Sequence, residues 1–237
     1  MQNTNEFFDS YPKNQGIFDF DKLKARPLYE IIPYETELEF YRLATTMSLK
    51  DNLPKKYQLM NDLARRLDLV LLARGTTRSV YVVNYDSTIV VKIGYDKESI
   101  TDSAREFENQ QFIKPFCTKC FEISPTGTIG LFERVTPVMH FGKFKSMAHD
   151  IDILHKRVFD KYIMADIGMH NYMNYGFREG FGAVLLDYPY LYELDKSKLK
   201  CRNIIGSSGK IWHGQDKTIE EFYDFIRSLI VEYRNSL

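Results

Sequence analysis

Five side chains in this sequence have types and spacings suited to handling phosphate. "ADIGMHNYM" (165–173) places Asp166 five residues ahead of Asn171, and the apolar run "AVLLDYP" (183–189) carries Asp187 at its end. In phosphoryl transfer one aspartate orients or deprotonates the attacking hydroxyl, while an amide and a second aspartate hold Mg²⁺ across the phosphates. Mg²⁺ takes oxygen ligands and keeps several waters, so one carboxylate and one amide carbonyl suffice. Upstream, "VVKIG" (90–94) puts Lys92 in a strand pattern, and "AREFEN" (104–109) puts Glu106 and Glu108 in a helix pattern. A helix glutamate can keep such a lysine charged and aimed at phosphates. The two glutamates are two residues apart, so only one can face the lysine. Glu106 is the expected partner, on the argument that Phe107 and Phe112 must also be buried. The competing reading is structural: surface acids, a solvent-facing lysine, and carboxylates that cap helices and form turns.

These residues need elements to position them. "LVLLARGTTRSVYVVNYDSTIVVKIGYD" (69–96) is rich in β-formers, with "NYDS" as a turn between two strand cores. "SITDSAREFENQQFI" (99–113) returns to helical spacing, and "GTIGLFERVTPV" (127–138) reads as a strand pair or a strand running into a linker. "HDIDILHKRVFDKYI" (149–163) is expected to be helical, with Ile151, Leu154, Val158 and Tyr162 on one face. A strand is expected at 183–187 and a last helix at 218–235, where Thr218 and Glu221 have capping-box spacing. Before the β-rich stretch, 35–49 and 55–69 read as two helices separated by a break at Asn52–Pro54. Residues 1–35 are aromatic and carry three prolines, and they read as an arm that packs on this domain or on a partner. The expected organisation is an arm and helix pair (1–65), a small β-rich lobe with its linker (66–138), and a mainly helical lobe (139–237). A nucleotide would lie in the cleft between the lobes.

Composition narrows the function classes. Lys+Arg and Asp+Glu are both 32, so the formal net charge is zero. A general electrostatic grip on nucleic acid or an anionic membrane is not indicated. No apolar run approaches the roughly 18 residues of a membrane helix, and the polar N-terminus does not read as a signal peptide. Three cysteines do not make a disulfide framework, so a reduced, cytoplasmic setting is expected.

The stretches "ARGTTRSVYVV", "VVKIG", "AREFEN", "LFERVTPV", "ADIGMHN", "NYGF" and "LLDY" come in the order that resembles the protein-kinase-like superfamily. The chain looks most like the short kinase-like proteins of bacteriophages that infect Gram-positive hosts. The resemblance covers roughly residues 66–195 and implies an α+β, two-lobed kinase-like fold to which the arm and helix pair are an addition. It implies a nucleotide site at Gly75, Arg78, Val80, Lys92 and Glu133, with Glu106 pairing with Lys92. It further implies Asp166 as catalytic base, Asp187 and Asn171 as Mg²⁺ ligands, and ATP as cofactor. Phage relatives often place an asparagine before aromatic-Gly, so Asn174 competes with Asn171. A host cytoplasm or a virion would be the setting.

The chain also departs from the family pattern. The three glycine-loop positions read Ala73, Gly75 and Arg78. The arginine before the catalytic aspartate is Ala165, and the glycine after the metal aspartate and its aromatic is Pro189. Two function classes therefore stand side by side. One is a phosphotransferase using ATP and Mg²⁺, with an unknown acceptor. The other is a pseudokinase that binds a host or virion protein, with residues 1–35 as the candidate surface and Arg78 blocking the pocket or pairing with Asp187. Cys117 and Cys120 could supply half of a zinc site, but the other half would need Cys201 and His213 far downstream, so zinc is not expected.

Overall fold

The structure is a computed structural model. It describes residues 18–46, 49–75, 77–96, 99–139, 141–158, 161–164, 173–189, 191–193, 204–205 and 211–212. The chain is mixed α+β, and its strands pair antiparallel.

After a 3-10 turn at Phe20–Lys22 come three helices: α1 (Leu28–Ile31), α2 (Tyr34–Thr46) and α3 (Leu49–Arg65). The break between the long helices was expected at Asn52–Pro54, yet Pro54 lies inside α3. It sits near the N-terminal end, where a missing N–H removes little of the helix ladder. Met60, Leu63 and Ala64 are buried at i, i+3 and i+4, the face the helix needs to pack.

Three strands follow: β1 (Leu69–Arg74), β2 (Arg78–Val83) and β3 (Asp86–Gly94). Helix α4 (Ile100–Ile113) leads to β4 (Cys120–Ile123) and β5 (Ile129–Glu133). The sheet order is β1-β2-β3-β5-β4. Ile89, Val91 and Ile93 point to one face and share a core with Leu28, Ile32, Phe40 and Met60. On the alternate positions, Val90 clusters with Cys120 and Phe132. The three N-terminal helices thus cover one face of the sheet, and α4 lies against the other. From Ile89 on, β3 is buried on both faces, and Ile89–Ile93 reads in sequence as an apolar run broken only by Lys92.

The remainder comprises β6 (Thr136–Pro137), α5 (Phe141–Ser146), α6 (Ala148–Val158), β7 (Tyr162–Met164), β8 (Tyr175–Arg178), β9 (Gly182–Leu185), β10 (Leu191–Glu193), β11 (Ile204–Ile205) and β12 (Ile211–Trp212). β6, β8 and β9 form one sheet, while β7 pairs with β10 and β11 with β12. The helix expected through 163 ends at Val158, and Tyr162 opens a strand instead. A second core gathers Ile151, Leu154, Val158, Tyr175, Leu185 and Tyr188. The expected helix at 218–235 lies outside the described residues.

The described part of the arm packs on its own chain. Phe20, Leu28, Ile31 and Ile32 are buried. Lys119 Nζ donates to the carbonyls of Phe20, Asp21 and Leu23 at 3.0, 3.2 and 2.8 Å. Tyr29 and Tyr34 of the same stretch stay exposed, and Phe7, Phe8 and Tyr11 lie outside the described residues. Among the described residues, no helix is long and apolar enough to cross a membrane.

Candidate functional site

The site forms where β2, β3 and α4 meet the segment after β9. Lys92 sits in β3 between Val80 of β2 and Gly130 of β5. Gly130 is what lets α4 approach: a Cβ there would lie 2.5 Å from the Phe132 ring and 3.1 Å from Ser103 Cβ on α4. One turn further along α4, Glu106 then reaches the sheet. Lys92 Nζ donates to its Oε1 and Oε2 at 2.9 and 3.1 Å, and to the Leu186 carbonyl at 2.5 Å. Glu106 is fully buried and Glu108 is exposed. Glu106, the expected partner, faces Lys92, but Phe107 and Phe112 are 46% and 53% exposed, so their burial is not what turns Glu106 inward.

Arg78 is the second cation of the cluster. Its Nη1 donates to Glu106 Oε2 at 2.6 Å and to Ser103 Oγ at 3.3 Å, and its Nη2 donates to Asp187 Oδ1. Two cations, Arg78 and Lys92, face two carboxylates, Glu106 and Asp187. The quartet is neutral without any added ion. The Arg78 side chain is 5% exposed and Asp187 is 44% exposed, so the cluster opens to solvent only at Asp187.

Burial alone would lower the Arg78 pKa, but Glu106 and Asp187 outweigh it and hold the guanidinium above its ordinary value. Desolvation raises the Glu106 pKa more than Arg78 and Lys92 lower it. At Asp187 desolvation acts upward, yet Arg78 and Lys92 prevail and the carboxyl is held below its usual range.

Tyr188 anchors the segment that carries Asp187. It is fully buried, its N–H donates to Glu106 Oε1 at 3.1 Å, and its hydroxyl donates to the Thr118 carbonyl at 2.5 Å. Asn109 Nδ2 donates to the carbonyls of Tyr188 and Pro189 at 2.9 and 3.1 Å. α4 therefore holds both the lysine and the segment after β9 that carries Asp187, two residues beyond the expected strand's observed end at Leu185.

The other residues singled out from sequence have plainer surroundings. The Gly75 N–H donates to the Arg78 carbonyl at 2.8 Å, closing the turn on itself. Val80 packs beside Val90 and Phe132. Glu133 is ion-paired with Arg178 at 2.6 Å and accepts from the Lys119 N–H at 3.0 Å. Its carboxylate is committed to the fold. Arg178 also donates to the carbonyls of Pro115 and Cys117, a role no motif around "GFREG" announces. The Asn174 carbonyl accepts from the Leu186 N–H at 2.7 Å, which sets Asn174 beside the residue preceding Asp187. Asp166 and Asn171 lie outside the described residues. Cys117 and Cys120 are buried, and burial pushes both thiols up, while Cys201 and His213 lie outside the described residues.

Two of the residues expected to hold Mg²⁺ and ATP, Asp187 and Gly75, are engaged within the chain. The Asp187 carboxylate already neutralises a guanidinium, and the one glycine N–H of the turn is already bonded. Among the described residues, no three His, Cys, Asp or Glu side chains converge as a metal site. No protein-family model matches the sequence, and no curated protein matches it significantly.

Proposed function

We propose that this chain is a kinase-like protein whose phosphate and metal groups are satisfied internally, and that it works by binding a protein partner rather than by transferring phosphate. The observation that carries this reading is the Arg78 guanidinium between Glu106 and Asp187. In a kinase-like site the aspartate after the last short strand pair holds the cation that bridges the phosphates. Here an arginine of the chain has that carboxylate. Arginine does not lose its proton in proteins and matches carboxylates with a rigid fork, so it is a durable occupant.

Support for the kinase-like part comes from the third strand of the sheet carrying a lysine, the next helix carrying its glutamate, and a buried aromatic following Asp187. A phage or host protein is the partner class the resemblance implies.

A second reading has its own observation. The Lys92–Glu106 pair, at 2.9 Å, is the pair an active kinase needs. On that reading the chain is a phosphotransferase using ATP and Mg²⁺, and Arg78 must first leave Asp187. The test incubates the purified protein with labelled ATP, Mg²⁺ or Mn²⁺, and host lysate, beside an Asp166→Asn control. The proposal expects no transfer above the control. Transfer that disappears in the control overturns it in favour of the enzyme.

A further inference from the structure

We infer that the groove between α3 and the end of β1 takes an extended acidic peptide segment of a partner protein, with a partner carboxylate on Arg74 and Asn61. The inference goes beyond the reading of the Arg78 cluster and does not need it, because no residue of that cluster lines the groove. A phosphotransferase would carry the same groove.

Pro54, Tyr57, Gln58, Asn61 and Arg65 recur along α3 at helical spacing and, with Asp62 and Arg74, line a groove of about 540 Å³. The Tyr57 ring is held edge-on against Tyr95, with centroids 4.8 Å apart, and the Tyr95 hydroxyl is hydrogen-bonded to Ser79 Oγ at 2.7 Å. The Arg74 guanidinium lies over Tyr57, its carbon 4.2 Å from the ring centroid. A guanidinium placed on a ring keeps its in-plane N–H groups for other acceptors, and its fork matches a carboxylate. Among the described residues no hydrogen bond or ion pair takes up those N–H groups. Asn61 is fixed from the core side. The Tyr81 hydroxyl, on a side chain 1% exposed, donates to Asn61 Oδ1 at 2.8 Å. That bond commits the amide oxygen and leaves the Nδ2 donors for an acceptor in the groove.

Charge and shape select the occupant. Arg65 is paired with Asp62 at 3.5 Å. Two arginines against one aspartate leave the groove one positive charge in excess, the complement of a single carboxylate. A phosphate dianion would meet the half-exposed Asp62 as a like charge. From Pro54 to Arg65 the helix runs about 16 Å, room for about five extended residues. The Arg65 side chain is 77% exposed, so the groove is open to solvent at that end. Small ligands are held in clefts that cover most of their surface, whereas an open groove suits a peptide.

The test is fluorescence anisotropy on the full chain at low salt. The probe is a short labelled peptide of alternating alanine and glutamate with an amidated C-terminus, beside its alanine–glutamine counterpart. The glutamate peptide is expected to bind the wild type and the glutamine peptide is not. Arg74→Gln removes the fork. Asn61→Asp keeps the acceptor for Tyr81 and sets a carboxylate against the ligand. Each is expected to weaken binding about tenfold or more, the loss of a charge-assisted hydrogen bond. Arg42→Gln makes the same charge change at an exposed position of α2 and is expected to leave binding within about twofold, because exposed charges outside the groove are screened. Thermal melts check that each variant folds, and the exposed Arg74→Gln still decides the matter if Asn61→Asp does not fold. A wild type that binds neither peptide, or both equally, overturns the inference. So does an equal loss in Arg42→Gln and Arg74→Gln, which would mean general charge attraction. Displacement of the peptide by free glutamate at the peptide's own concentration overturns it in favour of a small organic acid.

Discussion

Arg78 and Asp187 stand 109 residues apart in sequence and meet in one ion pair, tying the start of β2 to the segment after β9. Glu106 lies behind them and joins Arg78 to Lys92. The cluster therefore acts as a clasp between the sheet, α4 and the segment that carries Asp187.

Removing one cation from a buried ion cluster leaves a carboxylate without its partner. Arg78→Met is expected to destabilise the fold by about 3 kcal/mol in chemical denaturation. The double variant Arg78→Met with Asp187→Asn should cost clearly less than the two single changes added together, as expected for residues that share an interaction. Strict additivity would mean the pair is not coupled.

The carboxylates should rank by burial. Glu106→Gln leaves two buried cations short of a counter-charge and is expected to cost roughly 3–5 kcal/mol. Asp187→Asn, at a half-exposed position, should cost about 1 kcal/mol or less. Equilibrium urea unfolding of both variants checks the order. A larger loss in Asp187→Asn would contradict it.

These ranks were only partly readable from the sequence. The lysine strand and its helix glutamate could be placed because a local pattern, strand then helix, sets them one after the other. The choice between Glu106 and Glu108 came out correctly although its stated cause did not hold, since Phe107 and Phe112 face solvent. Strand β4, "CFEI", is four residues long, too short for its period to show in the sequence. The helix end at Val158 was missed because Tyr162 kept the helical spacing while belonging to a strand. The Glu133–Arg178 pair was out of reach, because it is set by the packing of β8 against the segment before β4 and no spacing encodes it.

His155 supplies a pH-dependent contribution. Desolvation pushes its pKa down to about 4, against an opposing pull from Asp152, and its Nε2 hydrogen-bonds the Tyr175 hydroxyl at 2.8 Å. A depressed histidine favours the fold when neutral, so its contribution is complete above the unfolded value near 6.5. It is lost as pH falls towards about 4, because the unfolded chain takes up the proton first. The loss attributable to this group is expected to approach roughly 3 kcal/mol. Urea unfolding at pH 7.5 and pH 5 on the wild type and on His155→Gln checks it. An equal loss in both proteins would remove His155 as the cause.

The arm should behave as part of the core. Phe20 is 6% exposed and sits in the second hydrophobic cluster, so Phe20→Ala is expected to cost about 3 kcal/mol. Denaturant titration measures it. A change below about 0.5 kcal/mol, the range of surface substitutions, would show that the arm does not pack as described.

On the proposed function, Arg78 occupies the place where a kinase-like cleft would take its metal and phosphates. Thermal unfolding of the wild-type chain with millimolar ATP, in the presence and absence of Mg²⁺, tests it most directly. The same melting temperature is expected in all conditions. A rise of several degrees that requires Mg²⁺, equivalent to roughly 2.7 kcal/mol at a hundredfold excess over the dissociation constant, would contradict it.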